Sequence, residues 1–170
     1  MIALAVAVVV LADAAPVSAR TTLDLCTSLS RSRLEDRVGT PLGKPHDLST
    51  EAVAAGCHFP ASAIGGTDVG IYASNDVPAG IRHSYGGSFF ATLDSFGQVY
   101  GTPTPVPRIG TSAYVAYTPG SLAQGALLVL DGPRHAVLVV LVGKHVTAAN
   151  ALSRGCAIAR MVLALPKLRQ

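Results

Sequence analysis

Residues 126–142 read ALLVLDGPRHAVLVVLV, and this stretch decides the fold. Residues 126–130 and 135–142 are apolar runs of strand length. Between them, Asp131-Gly132-Pro133-Arg134 carries turn chemistry, so the pair predicts a β-hairpin. From Ala136 to Val142 both alternating registers are apolar. A strand apolar on both sides is central in its sheet and covered by a helix.

The chain downstream supplies that helix. Thr147 is a helix N-cap, and the apolar pattern runs to about residue 165, with Pro166 beyond it. Leu152, Cys156, Ala159 and Leu163 recur at spacings of four, three and four residues and are expected to face inward. Gly155 and the alanines make that face thin, which lets the helix lie close to the sheet.

Upstream, residues 112–117 (SAYVAY) and 67–74 (TDVGIYAS) read as strands, and 55–61 (AGCHFPA) as a short strand that Pro60 ends. Residues 102–107 (TPTPVP) are extended, because each proline biases its predecessor away from helix. They read as a connector. Residues 88–96 show helical spacing at 89, 90, 93 and 96, closed by Gly97. Leu25, Leu29, Leu34 and Val38 predict a short amphipathic helix or two half-helices ending at Gly39. Residues 39–50 read as loop. The sum is an α+β fold: one domain over residues 20–170, an antiparallel β-sheet of about four to five strands, a C-terminal helix and one or two shorter helices.

Of the 170 residues, 49 % are hydrophobic and 14 % charged, with a mean hydropathy of +0.43. Disorder is excluded, since it requires low hydrophobicity and high charge. Much of the apolar content sits at the start. Residues 1–12 (MIALAVAVVVLA) are unbroken apolar, too short for a spanning helix of about 20 residues but suited to the apolar core of a secretory signal. Val17-Ser18-Ala19 fits a small-x-small cleavage site, so residues 1–19 are expected to be a signal peptide. No base precedes the apolar run, so its basic flank lies upstream of Met1 or is missing. Cleavage removes Asp13 and leaves 13 bases against 9 acids, a net charge of +4. No transmembrane span is expected in the mature chain.

Export permits disulfides. Three cysteines are present, Cys26, Cys57 and Cys156. Cys156 falls on the apolar face of the last helix, where a free thiol behaves as a small hydrophobe. Cys26 and Cys57 lie near the start of the mature chain and are expected to pair, with pairings to Cys156 the alternatives. Metal binding is not expected: Cys-x-x-Cys is absent, and the five histidines are scattered. No cofactor is expected either.

Nucleophile and phosphate-loop motifs are absent. Glu35-Asp36 beside Arg33 and Arg37 reads as a solvated charge cluster. The polar run Arg82-His83-Ser84-Tyr85-Gly86-Gly87-Ser88 is the candidate ligand loop. Arg82, His83 and Tyr85 supply donors for an anion or sugar, and the glycines allow close approach. From Gly132 to Gln170 there are six bases and no acid, a basic surface suited to weak contact with an anionic envelope surface. Nucleic acid is not expected as a partner, because no aromatic platform accompanies the bases.

Leu25-Cys26 and Leu29, then Gly56-Cys57-His58-Phe59, then Ile109-Gly110-Thr111-Ser112-Ala113-Tyr114, then the hairpin and last helix, resemble the actinobacterial, mycobacterial-type envelope lipoproteins grouped as domain of unknown function 3558. Phe59 stands where that family carries Trp, and Thr111-Ser112 replaces its Gly-Asp turn. Ala14 in Leu11-Ala12-Asp13-Ala14 replaces the lipidated Cys, so no lipid anchor is expected. The family has no settled activity. The resemblance implies a secreted or envelope location without a mechanism. The expected function is non-catalytic binding of an envelope ligand or protein. The alternatives are an enzyme or enzyme accessory with its ligand site at residues 82–88, and an extracellular sensor-like domain.

Overall fold

The computed structural model describes residues 23–49, 55–74, 93–132 and 135–168. The hairpin at its centre consists of β6 (Ala123–Asp131) and β7 (His135–Gly143), paired antiparallel from Ala123 opposite Gly143 to Asp131 opposite His135. Gly132 enters the turn at φ 64°, a left-handed value that glycine adopts without steric cost. Around this hairpin lie β1 (His46–Asp47), β2 (Ala55–Phe59), β3 (Asp68–Ser74), β4 (Thr104–Pro105) and β5 (Ser112–Thr118). The seven strands run β1-β2-β3-β7-β6-β5-β4, with every neighbouring pair antiparallel. β7 is the middle strand, and Ala136–Leu141 are buried on both faces.

The α+β class holds, but the sheet has seven strands rather than four to five. The two extra strands are dipeptides at the edges. Two residues carry no readable alternation, so residues 39–50 read as loop and 102–107 as connector. Pro105 is tolerated because an edge strand leaves one side of its backbone unpaired.

The helices are α1 (Leu25–Ser28), α2 (Arg31–Val38), α3 (Leu93–Tyr100) and α4 (Ala148–Leu163). The N-terminal apolar residues form two half-helices. Ser30 caps the second, and Gly39 ends it in the left-handed conformation. Leu25, Leu29, Leu34 and Val38 are all buried. Thr147 and Asn150 form a reciprocal capping box at the start of α4: Asn150 N donates to Thr147 Oγ1 at 3.2 Å, and Thr147 N donates to Asn150 Oδ1 at 2.8 Å.

Two expectations for the helices are corrected. Gly97 lies within α3, which continues to Tyr100, and residues 88–92 fall outside the described residues. The chain turns instead at Gly101, φ 96°. Packing at Gly97 is tight, since a Cβ there would sit 3.1 Å from the Pro103 ring. Leu152 is 37 % exposed, and Ala151, Gly155, Ile158 and Val162 share the inward face with Cys156, Ala159 and Leu163. The buried face is therefore turned by about one residue. Gly125 of β6 sets this rotation: a Cβ there would overlap Ala151, so the helix rests directly on the strand. Gly155 does the same over Leu127, with a hypothetical Cβ contact of 3.0 Å.

Alternation along the strands divides the core into two layers. Val69, Ile71, Leu127, Val129, Val137, Val139 and Leu141 point toward α1, α2 and α4. Leu128, Leu138 and Val140 point the other way, against Phe96 of α3 and the partly buried Tyr72, Tyr100 and Tyr114. Burying each large aliphatic side chain contributes about 1.5–3 kcal/mol. Cys26 of α1 is bonded to Cys57 of β2, with Cα atoms 5.3 Å apart and 31 residues of separation. This staples α1 to the sheet at β2. Cys156 is free and buried, as its place on α4 required.

Candidate functional site

Arg82, His83 and Tyr85 lie outside the described residues, in the chain between β3 and α3. The signal segment, residues 1–19, also lies outside them. The basic C-terminal surface is partly described, and its bases divide between two places.

Arg160 is exposed in the last turn of α4, beside α1 and α2. Arg33 and Arg37 are four residues apart on α2, so both project from one side of that helix. Together with Ser28, Ser30 and Leu29, these residues and the α4 face of Ala157, Met161, Ala164 and Leu165 line a groove of about 590 Å³. That size lies within the roughly 300–1,000 Å³ range of ligand sites. Its floor is apolar: Leu29 is buried, and Met161 and Leu165 are half-buried. Its rim carries three guanidinium groups.

Of the two α2 carboxylates, Glu35 is committed elsewhere, and Asp36 is exposed with no ion pair among the described residues. Glu35 pairs with Arg31 at 3.5 Å, and its Oε1 accepts the Leu42 amide at 3.0 Å. Among the described residues, Arg33, Arg37 and Arg160 have no ion-pair partner. The cluster of Glu35-Asp36 beside Arg33 and Arg37 is solvated as expected, with Arg33, Asp36 and Arg37 exposed and Glu35 half-buried. Arg31 and Glu35 neutralise each other, while Arg33 and Arg37 face the groove. Arg154, one turn and a half earlier on α4, extends toward the other end of α2, where its guanidinium lies near Gly39. A cation there is favoured by the partial negative charge of a helix C-terminus.

Lys144 lies in a second cleft, of about 490 Å³, between the 61–66 turn and the end of the β6–β7 hairpin. Asp68 anchors that turn: its Oδ1 accepts the Ala61 amide at 2.7 Å, and His58 Nε2 lies 3.7 Å from its Oδ2. Ile64 and Leu122 project into solvent at the cleft mouth. The His58 ring stacks on His46 at 6.3 Å. Among the described residues, no three His, Cys, Asp or Glu side chains converge as a metal site would require.

Burial shifts three of the described side chains toward their neutral forms. Burial pushes the Cys156 thiol up, against the smaller opposing pull of Arg160, so the reactive thiolate is disfavoured. Burial also raises Tyr72, and it pushes Tyr100 up to about 12, with the neighbouring Tyr72 phenol adding to the effect. Both phenols are protonated at neutral pH.

No protein-family model matches this chain, nor does any curated protein or solved structure. Among the described residues, no helix is long and apolar enough to cross a membrane. The arginine groove could be anticipated only in part. The i,i+4 spacing of Arg33 and Arg37 was visible, but their meeting with Arg160 depends on how α2 packs against α4.

Proposed function

We propose that this chain is an exported cell-envelope domain that binds an anionic envelope component without transforming it. The observation that carries the reading is the groove between α1, α2 and α4, where three arginines from two helices line a shared space and, among the described residues, form no ion pair. Guanidinium forks favour phosphate and carboxylate ligands, because they donate paired hydrogen bonds to planar oxygen groups. The apolar N-terminal run, with Val17-Ser18-Ala19 as its cleavage site, supports export. The Cys26–Cys57 disulfide suits an oxidising compartment. The resemblance of its short motifs to domain of unknown function 3558 is consistent with an envelope location. Ala14 in place of the lipobox Cys argues against a lipid anchor.

Co-sedimentation with an envelope fraction tests this reading. The wild-type protein is expected to sediment with the fraction at low salt and to be released as ionic strength rises. The triple variant R33S/R37S/R160S is expected to stay in the supernatant. Equal retention of the two proteins would remove the groove from the account. N-terminal sequencing of exported protein is expected to begin near Arg20, and an intact Met1 would contradict cleavage.

A further inference from the structure

We infer that the groove between α1, α2 and α4 takes a single-chain amphiphile, with a phosphate headgroup among the arginines and an aliphatic tail along the floor. This inference rests on the anion-binding reading above and specifies its ligand.

Three features of the groove lead to it. The first is size. A bare phosphate ion has five heavy atoms and would occupy only a small part of about 590 Å³, so the ligand needs a larger body. The second is the chemistry of the floor. The half-buried Met161 and Leu165 offer carbon surface above the buried Leu29, and Ala157 gives the floor depth by withholding a longer side chain. A fully solvated polyanion would leave that surface wet, whereas an aliphatic tail gains by covering it. The third is the rim. Arg33, Arg37 and Arg160 line one groove, and among the described residues none of them forms an ion pair. Their mutual repulsion is relieved by a ligand oxygen cluster, and the three terminal oxygens of a phosphate monoester give each guanidinium an acceptor.

The ligand class is thus set by two requirements together, a charged head and an apolar tail. Neither part alone satisfies the groove. An acidic peptide helix would bring the charge, but it needs a partner groove as long as the helix itself. The α1–α2 side is only two short helices, of four and eight residues.

The test is calorimetric titration of the full chain with three probes below their micelle-forming concentrations. Dodecyl phosphate carries both head and tail, inorganic phosphate the head alone, and dodecyl maltoside the tail with an uncharged head. Dodecyl phosphate is expected to bind at least about tenfold more tightly than either of the others. R33S/R37S/R160S is expected to weaken it by about tenfold or more, since all three side chains are exposed and their loss leaves the fold intact. Ala157→Phe fills the floor without touching charge, and is expected to weaken dodecyl phosphate while leaving inorganic phosphate unchanged. Equal binding of inorganic phosphate would overturn the amphiphile and leave a simple anion site. Equal binding of dodecyl maltoside would overturn the role of the arginines. Failure of dodecyl phosphate, with arginine-dependent sedimentation on envelope intact, would overturn this inference alone. Failure of both would overturn the anion-binding reading as well.

Discussion

The two faces of the central sheet are closed in different ways. On one face, aliphatic side chains from β3, β6 and β7 meet three helices and a disulfide. Val69, Ile71, Val129 and Val137 there are fully buried. On the other face, Leu128 and Phe96 are as well buried, but the layer around them is made of half-buried tyrosines. The first face has the geometry of a closed core. Among the described residues, the second carries three half-buried phenols around its apolar layer. One sheet can therefore bear both the stability of the molecule and a pH-sensitive side.

Adjacent residues of β6 give the sharpest comparison, because Leu127 and Leu128 are equally buried on opposite faces. Leu127→Ala is expected to cost about 3–5 kcal/mol, since Gly155 rests directly on Leu127 and leaves little to collapse into the cavity. Leu128→Ala is expected to cost about 2–3 kcal/mol, because no glycine backbone among the described residues is pressed against Leu128 as Gly155 is against Leu127. Urea midpoints measure both, and equal losses would erase the distinction. Removing the disulfide as C26A/C57A is expected to cost up to about 3–4 kcal/mol through unfolded-chain entropy, with a lower thermal midpoint.

The tyrosine face is expected to fail in alkali. Tyr100 is held protonated up to about 12, above the ordinary phenol value near 10. Its contribution to stability is complete below about pH 10 and disappears as pH rises through 12. Tyr100→Phe should flatten that part of a stability–pH curve and leave the neutral range unchanged. The smallest effect is expected at the groove. Replacing Arg33, Arg37 or Arg160 singly by Ser should alter stability by no more than about 0.5 kcal/mol, because these exposed residues form no ion pair among the described residues.

Long-period signals in the sequence transferred well to the fold. The apolar run 136–142 gave the middle strand, Thr147 gave the cap of α4, and Gly39 gave the end of α2. Short or tertiary features did not. β1 and β4 are paired dipeptides whose existence depends on their neighbours rather than on their own pattern. The inward face of α4 is set by contact with Gly125, so Leu152 turned out although its spacing placed it inside. The arginine groove follows the same logic. Arg33 and Arg160 are far apart in sequence, and only the packing of α2 on α4 brings them to one space. The disulfide was more accessible, because only three cysteines were available and one belonged to a helical apolar face.

The central claim is that ligand binding occurs at the α2–α4 groove. Backbone amide chemical shifts during titration with dodecyl phosphate test it most directly. The account predicts shifts confined to residues 28–37 and 157–165, and lost in R33S/R37S/R160S. Shifts centred on Arg82, His83 and Tyr85, or on the cleft of Ile64, Leu122 and Lys144, would contradict it.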